Sequence, residues 1–162
     1  MSDPPPVPAS QVSAPPVPEP FHARVRVRYE ESDAAGVVYY ANYLVYFEVA
    51  RVEALRAVGL PITEVERRGV TFPAVSADCT YRSPARVDDL LDIALWTEHI
   101  GRASFGFGYE VRRCDGDGCP CDLVATGHTR HAVVDRATMR PVRIEGWIAD
   151  LVARAQEWRS PT

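Results

Sequence analysis

"YEESDAAGVVYYANYLVYFE", residues 29–48, opens with three acidic residues in four positions and continues through a turn of small residues into an apolar segment. Upstream of its acidic residues, from residue 21 to 30, apolar and polar side chains alternate, which is the period of a half-buried strand. Towards its end and beyond, one apolar residue recurs every three or four positions: Tyr43, Phe47, Ala50, Ala54 and Val58. The stretch therefore predicts a strand, a tight turn and a helix of about five turns.

The two ends of this helix also have sequence signals. Gly59 predicts its end, because glycine readily adopts the left-handed conformation that closes many helices. Pro61 follows two residues later and cannot continue a helix. At the start, Asn42 or a residue just upstream is expected to cap the first turn.

The rest of the chain predicts mainly strands. Four further stretches have a period of two: residues 72–81, 90–100, 103–111 and 123–135. An amphipathic stretch from Trp147 to Trp158 predicts a C-terminal helix. One strand, one long helix and four strands with short links are typical of antiparallel neighbours. We therefore expect an α+β domain whose sheet curls around one hydrophobic helix.

Length and composition restrict the function classes. The chain has 162 residues, which suits one domain, and no stretch contains the roughly 18 consecutive apolar residues of a membrane span. Its formal charge of −4 argues against a nucleic-acid surface. All 18 basic residues are arginine, and the absence of lysine excludes Schiff-base chemistry and a phosphate-loop lysine. We expect partners that are small molecules or proteins, without membrane or nucleic acid.

The N-terminal segment differs in composition from the rest. Residues 1–20 hold eight of the 14 prolines and almost no charge, which predicts a disordered tail before a single domain at residues 21–162. A ligand for a proline-binding protein is the alternative for this tail. The four cysteines do not form a disulfide framework, and the N-terminus lacks the pattern of a secretory signal, so we expect a cytoplasmic protein.

Two stretches of the sequence contain potential metal ligands. "CDGDGCPCD", residues 114–122, lacks a familiar zinc spacing, and its glycines and aspartates are typical of a hairpin loop. His128 and His131, three residues apart on a predicted strand, face opposite sides. These patterns favour a loop and two ordinary histidines, so no metal site is predicted.

Asp33 is the candidate for chemistry. It lies in the turn between the first strand and the helix, where free backbone N–H groups carry partial positive charge. One interpretation is a catalytic carboxylate. The other is that Asp33, with Glu30 and Glu31, only complements the helix dipole. Spacing alone leaves both interpretations open.

Three motifs carry a resemblance to a known family: residues 29–51, "YRSPARVDDLLDI" at 81–93 and "IGRASFGFGYEV" at 100–111. Together they resemble the 4-hydroxybenzoyl-CoA thioesterase family of hotdog-fold proteins, over residues 21–135. The resemblance implies an antiparallel sheet of about five strands wrapped around one long central helix. It implies hydrolysis of the thioester bond of acyl-CoA without a metal or another cofactor. It also implies a homodimer or homotetramer with active sites between subunits.

The same resemblance implies roles for individual residues. Asp33 matches the catalytic aspartate, as nucleophile or general base, and the backbone N–H of Tyr40 matches the group that polarises the thioester carbonyl. The positions that match the acyl-binding site are Gly36, Val37, Asn42, Tyr43 and Glu48. The positions that match the coenzyme A site are Arg82, Arg86, Arg102 and Ser104. Many bacterial relatives have histidine in place of Tyr40, and a tyrosine there resembles the branch that acts on aromatic acyl groups.

The sequence also allows other functions. A non-catalytic acyl-CoA binding or regulatory module would keep the same fold and lack hydrolysis. A scaffold would act through the proline-rich tail. A dehydratase of this fold is disfavoured, because it needs a histidine that the segment from Tyr29 to Glu48 lacks. Neither a short-chain nor an aromatic acyl group is selected by spacing.

Overall fold

The fold is an antiparallel sheet with one long helix across it. The computed structural model describes residues 19–159 and, within them, contains seven strands, three α-helices and a short 3₁₀ turn at Tyr29–Glu31. The strands are β1 (Phe21–Arg26), β2 (Val70–Thr71), β3 (Ala74–Tyr81), β4 (Leu90–Ile100), β5 (Ser104–Cys114), β6 (Pro120–Ala132) and β7 (Val134–Asp135). The helices are α1 (Asn42–Ala57), α2 (Ile62–Arg67) and α3 (Trp147–Ala155). The predicted tail lies outside the described residues, apart from Glu19 and Pro20.

The main sheet has five strands in the order β1-β4-β5-β6-β3, and each neighbouring pair is antiparallel. The three longest strands, β4, β5 and β6, form its centre, and β1 and β3 are its edges. Strands β2 and β7 form a separate two-stranded sheet. This arrangement confirms the predicted α+β class. None of the helices within residues 19–159 combines the length and apolar character that a membrane crossing requires.

Three strand boundaries differ from the predicted ones. The first strand ends at Arg26, and Tyr29, expected on its buried face, is 86% exposed because the chain turns into the 3₁₀ helix there. The stretch predicted at 72–81 begins as a strand only at Ala74, because Pro73 has no N–H for a ladder. The stretch predicted at 123–135 divides at Val133 into β6 and β7, which pair in different sheets.

Helix α1 packs one face against the sheet. Its buried side chains are Tyr43, Tyr46, Phe47, Ala50, Ala54 and Leu55. The ring of Phe47 stacks on Tyr109 of β5, with ring centroids 4.4 Å apart. Beneath the same ring lies Gly127 of β6, where a Cβ atom would come within 2.5 Å of Phe47. Each large apolar side chain buried in this way contributes about 1.5–3 kcal/mol, so the helix and sheet stabilise each other.

The predicted end of α1 is confirmed, and its start differs from the expectation. Gly59 has φ of +81°, and the amides of Gly59 and Leu60 donate to Arg56 O and Leu55 O, which is a Schellman motif. At the start, no side chain caps the helix, whose cap position is Ala41. Asn42 instead donates its side-chain amide to Glu31 O, at 2.8 Å. The start of α1 is therefore tied to the preceding turn rather than capped locally.

The other two predicted elements are present. The segment at 114–122 contains a loop that joins β5 and β6, in which the amides of Asp117 and Cys119 donate to the Asp115 carboxylate. It is the hairpin loop that the glycines predicted. Helix α3 packs Ile148 and Leu151 against the core next to Leu55. Helix α3 thus covers part of the same core.

Candidate active site

Asp33 lies in a turn closed by backbone hydrogen bonds. Its amide donates to Val37 O at 2.9 Å, and the Gly36 amide donates back to Asp33 O at 3.0 Å. Ser32 and Val38 form an isolated antiparallel bridge at the base of the turn. Gly36 has φ of +73°, a conformation in which a side chain would be strained. Glycine at this position allows the turn to hold Asp33 between β1 and α1.

The Asp33 carboxylate is exposed and held by its own turn. The Ala35 amide donates to Asp33 Oδ1 at 2.7 Å, which forms an Asx turn. From outside the turn, Arg86 donates from Nη1 to Gly36 O at 3.2 Å. The carboxylate is therefore oriented by short local contacts while it stays accessible to a ligand.

The buried carboxylate of Glu31 anchors the segment that leads into this turn. Glu31 is 5% exposed and accepts hydrogen bonds from the Arg28 backbone amide at 2.8 Å, Arg28 Nε at 3.0 Å and the Tyr46 hydroxyl at 2.8 Å. Burial opposes the ionisation of Glu31, but these hydrogen bonds outweigh it and hold the pKa of its carboxyl below the ordinary value. The two acids thus differ in environment: Glu31 points into the core, and Asp33 is exposed.

The backbone of Glu31 joins the turn to the start of α1. Its carbonyl accepts from the Tyr39 amide and from Asn42 Nδ2, both at 2.8 Å. Asn42, predicted as an acyl contact, is engaged in this link. The turn and the helix start therefore form one hydrogen-bonded unit.

Free amides are present at the helix start. The Asn42 amide donates to Tyr39 O, and the Leu44 amide donates to Ala41 O. The amides of Tyr40 and Ala41 have no hydrogen-bond acceptor among residues 19–159. Unpaired N–H groups at a helix N-terminus favour negative charge, so this position suits a developing oxyanion.

A cavity of about 360 Å³ brings Asp33 and the helix start together. Its lining residues are Asp33, Val37, Val38, Tyr40, Tyr43, Tyr81, Arg82, Ser83 and Pro84. Five residues predicted from the motifs are thus gathered around one space: Asp33, Val37, Tyr40, Tyr43 and Arg82. Burial raises the pKa of Tyr43, so its phenol stays protonated at neutral pH.

A second cavity, of about 380 Å³, shares Ser83 and Pro84 with the first. Arg86 lines it, and so does Arg113, which is paired with Asp89 at 3.0 Å. The two cavities form neighbouring parts of one surface, and Arg86, which lines the second, also contacts the turn that carries Asp33.

Three predicted residues lie elsewhere in this chain. Glu48 is exposed on α1, 3.9 Å from Arg51. Arg102 and Ser104 lie at the hairpin that follows β4, whereas Asp89 and Arg86 lie just before that strand begins. An 11-residue strand spans about 35 Å, so one chain does not bring these two groups together.

Four of the nine lining residues were not predicted: Val38, Tyr81, Ser83 and Pro84. The last three belong to the quoted motif at 81–93. The period of β3 places Tyr81 on the same face as the half-buried Cys79, which was a usable signal. That face meets the start of α1 only through tertiary packing, which the period does not specify.

Comparison with known proteins identifies the family. The model of the thioesterase-like superfamily matches residues 27–152. The chain belongs to this superfamily. Among its relatives, the acyl-CoA thioesterase YbgC of Haemophilus influenzae is 32% identical over 123 residues, 75% of this chain and 86% of that protein. A 1,4-dihydroxy-2-naphthoyl-CoA hydrolase of Nostoc punctiforme is 34% identical over 113 residues, 69% of this chain and 72% of that protein.

A solved structure supports the same assignment at the level of the fold. A mutant 4-hydroxybenzoyl CoA thioesterase complexed with 4-hydroxybenzoyl CoA aligns with a TM-score of 0.71 and 24% identity, over 80% of this chain and 96% of that one. The predicted superfamily and hotdog fold are confirmed, and with them the class of thioester hydrolases that the motifs indicated.

Proposed function

We propose that this protein hydrolyses acyl-CoA thioesters, with Asp33 as nucleophile or general base and the start of α1 as the oxyanion site. The observation that carries the proposal is that Asp33 and Tyr40, whose amide is unpaired within residues 19–159, line the same cavity. Two superfamily relatives are named as acyl-CoA hydrolases, which supports the same reaction here.

The chemistry divides between the carboxylate and the amides. A carboxylate can attack the thioester carbon or remove a proton from an attacking water, and Asp33 lines the cavity where either step would occur. In either route the carbonyl oxygen becomes negative, and the unpaired amides of Tyr40 and Ala41 stabilise it. A single well-placed donor of this kind contributes about 3–4 kcal/mol to transition-state stabilisation. In the nucleophilic route coenzyme A leaves as its thiolate from a mixed anhydride with Asp33, and water then hydrolyses that anhydride to the free acid. In the general-base route the attacking water supplies the oxygen of the acid, and the proton taken up by Asp33 passes to the departing thiolate.

An aromatic or short-chain acyl group fits the cavity. Tyr40, Tyr43 and Tyr81 supply aromatic walls, and Val37 supplies an apolar one. Aromatic rings pack well against other aromatic rings, which supports an aryl substituent on the thioester. The volume of about 360 Å³ is sufficient for a small acyl group.

Coenzyme A is proposed to lie across the second cavity. Its phosphates carry negative charge, and Arg82 lines the first cavity and Arg86 the second. Guanidinium groups bind phosphate through paired hydrogen bonds, which supports this placement. The shared wall of Ser83 and Pro84 then lies beside the pantetheine arm.

A second copy of the chain is proposed to complete the site. Strand β3 is an edge of the sheet with all but one of its residues exposed, and α1 exposes Leu44, Val45 and Val49. An unpaired edge beside apolar surface favours association of subunits as a dimer or tetramer. Glu48, Arg102 and Ser104 would then act at the site of the neighbouring subunit.

The location proposed for the protein is the cytoplasm. Cys79, Cys114, Cys119 and Cys121 are all free thiols. Free thiols in this number suit a reducing compartment. Detection of the protein in a cytoplasmic fraction, with its thiols still open to alkylation, would test the proposal.

The experiment is hydrolysis of a panel of short-chain, long-chain and aromatic acyl-CoAs by the wild type, Asp33→Asn and Asp117→Asn. We expect Asp33→Asn to lose on the order of 10³-fold or more in kcat while it still binds acyl-CoA in calorimetry. Asp117 is exposed in the hairpin loop, so its variant is the matched control and keeps full activity. A wild type that binds acyl-CoA but hydrolyses nothing would instead establish the non-catalytic binding module.

A further inference from the structure

Tyr81 connects an edge strand to the start of the central helix. It is the last residue of β3, and its hydroxyl donates to Tyr40 O at 3.0 Å. Its ring packs edge-on against Tyr43, with centroids 5.2 Å apart and planes at 64°. The side chain is 48% exposed and lines the cavity that contains Asp33.

The carbonyl that Tyr81 binds has no partner within the helix. In a regular helix, Tyr40 O would accept from the Leu44 amide, four residues later. Here the Leu44 amide donates to Ala41 O at 3.1 Å instead. Among residues 19–159, the Tyr81 hydroxyl is therefore the donor that satisfies this carbonyl.

The bond from Tyr81 to the Tyr40 carbonyl also restrains the direction of a backbone amide. The Tyr40 carbonyl and the Ala41 N–H belong to one planar trans peptide and point in opposite directions. A hydrogen bond that holds the carbonyl therefore sets the direction of the Ala41 N–H. The preceding peptide is held similarly, because Tyr39 O accepts from the Asn42 amide at 2.9 Å, which sets the direction of the Tyr40 N–H.

Only one of these two restraints depends on a side chain. The bond from Asn42 to Tyr39 is between backbone groups at the helix start. The bond to Tyr40 comes from a phenol 41 residues away, on a different element. Partial burial raises the pKa of Tyr81 to about 12, so the phenol keeps the proton that it donates.

We propose that Tyr81 is a positioning residue for the oxyanion site. Its hydroxyl holds the peptide between Tyr40 and Ala41 so that the Ala41 amide faces the thioester carbonyl. This inference rests on the proposed function. Small displacements of a catalytic group reduce rates strongly, up to about 100-fold for 1 Å. The role of the Tyr81 hydroxyl therefore lies in kcat and in polarisation of the carbonyl, not in affinity.

The test compares Tyr81→Phe with Tyr29→Phe. The first substitution removes one hydroxyl and keeps the ring against Tyr43, and the second removes a hydroxyl from a side chain that is almost fully exposed. We expect Tyr81→Phe to lower kcat by about 10-fold to 100-fold with KM changed less than about twofold. Tyr29→Phe is expected to match the wild type in both parameters.

A spectroscopic measurement separates positioning from a general loss of structure. A ¹³C-carbonyl-labelled aromatic acyl-CoA is bound to Asp33→Asn and to Asp33→Asn/Tyr81→Phe, and the infrared carbonyl stretch is compared. We expect the red shift on binding to be smaller in the double variant, because the amide is less well directed. A wild-type kcat in Tyr81→Phe, or a lowered kcat and unfolding midpoint with an unchanged carbonyl frequency, would overturn the proposal.

The two proposals fail in different ways. If the wild type hydrolyses no acyl-CoA, the proposed function fails, while the carbonyl frequencies of the bound complexes still test the role of Tyr81. If the wild type is active and Asp33→Asn is not, but Tyr81→Phe retains full kcat, only the inference about Tyr81 is wrong.

Discussion

The hydroxyl group of Tyr46 donates a hydrogen bond to the carboxylate of Glu31 at 2.8 Å, inside the core between α1 and the 3₁₀ turn. This contact joins the central helix to the segment that carries Asp33 two residues later. Burial and the negative charge of Glu31 raise the pKa of Tyr46 well above its ordinary value, so the donor stays protonated. The exposed carboxylate of Asp33 thus lies two residues from the buried carboxylate of Glu31, which accepts three hydrogen bonds.

Glu31→Gln is expected to lower the free energy of unfolding by about 1.5–3 kcal/mol, because charge-assisted hydrogen bonds from Arg28 are lost in a buried site. Hydrolysis is expected to fall as well, since the turn that holds Asp33 loosens. Urea unfolding and kcat are the measurements. The control is Glu30→Gln, an exposed neighbour whose substitution should change stability by less than about 0.5 kcal/mol. Equal effects of the two substitutions would contradict the supporting role of Glu31.

His131 is expected to make stability depend on pH. It is 3% exposed, with Nδ1 3.1 Å from Phe72 O and Nε2 3.0 Å from Thr129 Oγ1. Burial, and then the charge of Arg51, lower the pKa of His131 to about 4. The unfolded chain, with an ordinary value near 6.5, therefore binds more protons between pH 6.5 and 4. The stabilising contribution is present above pH 6.5 and is lost as the pH falls towards 4, up to about 3 kcal/mol.

His131→Gln cannot take up that proton, so its free energy of unfolding should vary less than that of the wild type over this range. Urea midpoints measured from pH 7 to pH 4 give the comparison. His128→Gln is the control, because the bond to Asp78 raises the pKa of the exposed His128 and gives a contribution of opposite sign. A slope for His131→Gln as steep as that of the wild type would show that other groups cause the pH dependence.

Gly127→Ala is expected to destabilise the protein by about 1–3 kcal/mol. The added Cβ atom would lie 2.5 Å from the ring of Phe47 and 2.5 Å from Asp78 O, so the helix or the edge strand must move. Thermal and urea unfolding measure the change. Gly116→Ala is the matched control, because no atom lies within 4 Å of the position of its Cβ. Unfolding of both variants at the wild-type midpoint would contradict the close packing of Phe47 on Gly127 of β6.

Arg86→Gln is expected to raise KM for acyl-CoA about tenfold, because it removes a positive charge near the proposed phosphate site. Glutamine keeps an N–H donor for the Gly36 carbonyl, which Arg86 binds at 3.2 Å. Steady-state kinetics with acyl-pantetheine, which lacks the nucleotide phosphates, provides the comparison. With acyl-pantetheine as substrate, the KM of Arg86→Gln should stay within about twofold of the wild-type value. A similar rise in KM for both substrates would assign Arg86 to the turn rather than to phosphate binding.

Local patterns predicted much of the fold because they arise from neighbouring residues. Alternation predicted the long strands, and the helical period predicted α1. Gly59 ends α1 because its positive φ is a property of that residue alone. Predictions failed where a contact from elsewhere decided the outcome. Tyr29 fitted the alternation of a strand, but the chain leaves the sheet at Arg26.

The sequence by itself determined the elements, their order and a carboxylate between a strand and a helix, because periodicity and turn chemistry act within a few residues. Only the tertiary structure decided what surrounds that carboxylate. Pairing of β3 with β6 brings Tyr81 to Tyr40, and burial of Glu31 against Tyr46 leaves Asp33 as the exposed acid of the pair. These contacts join residues far apart in the chain, and they depend on packing between elements that no local spacing encodes.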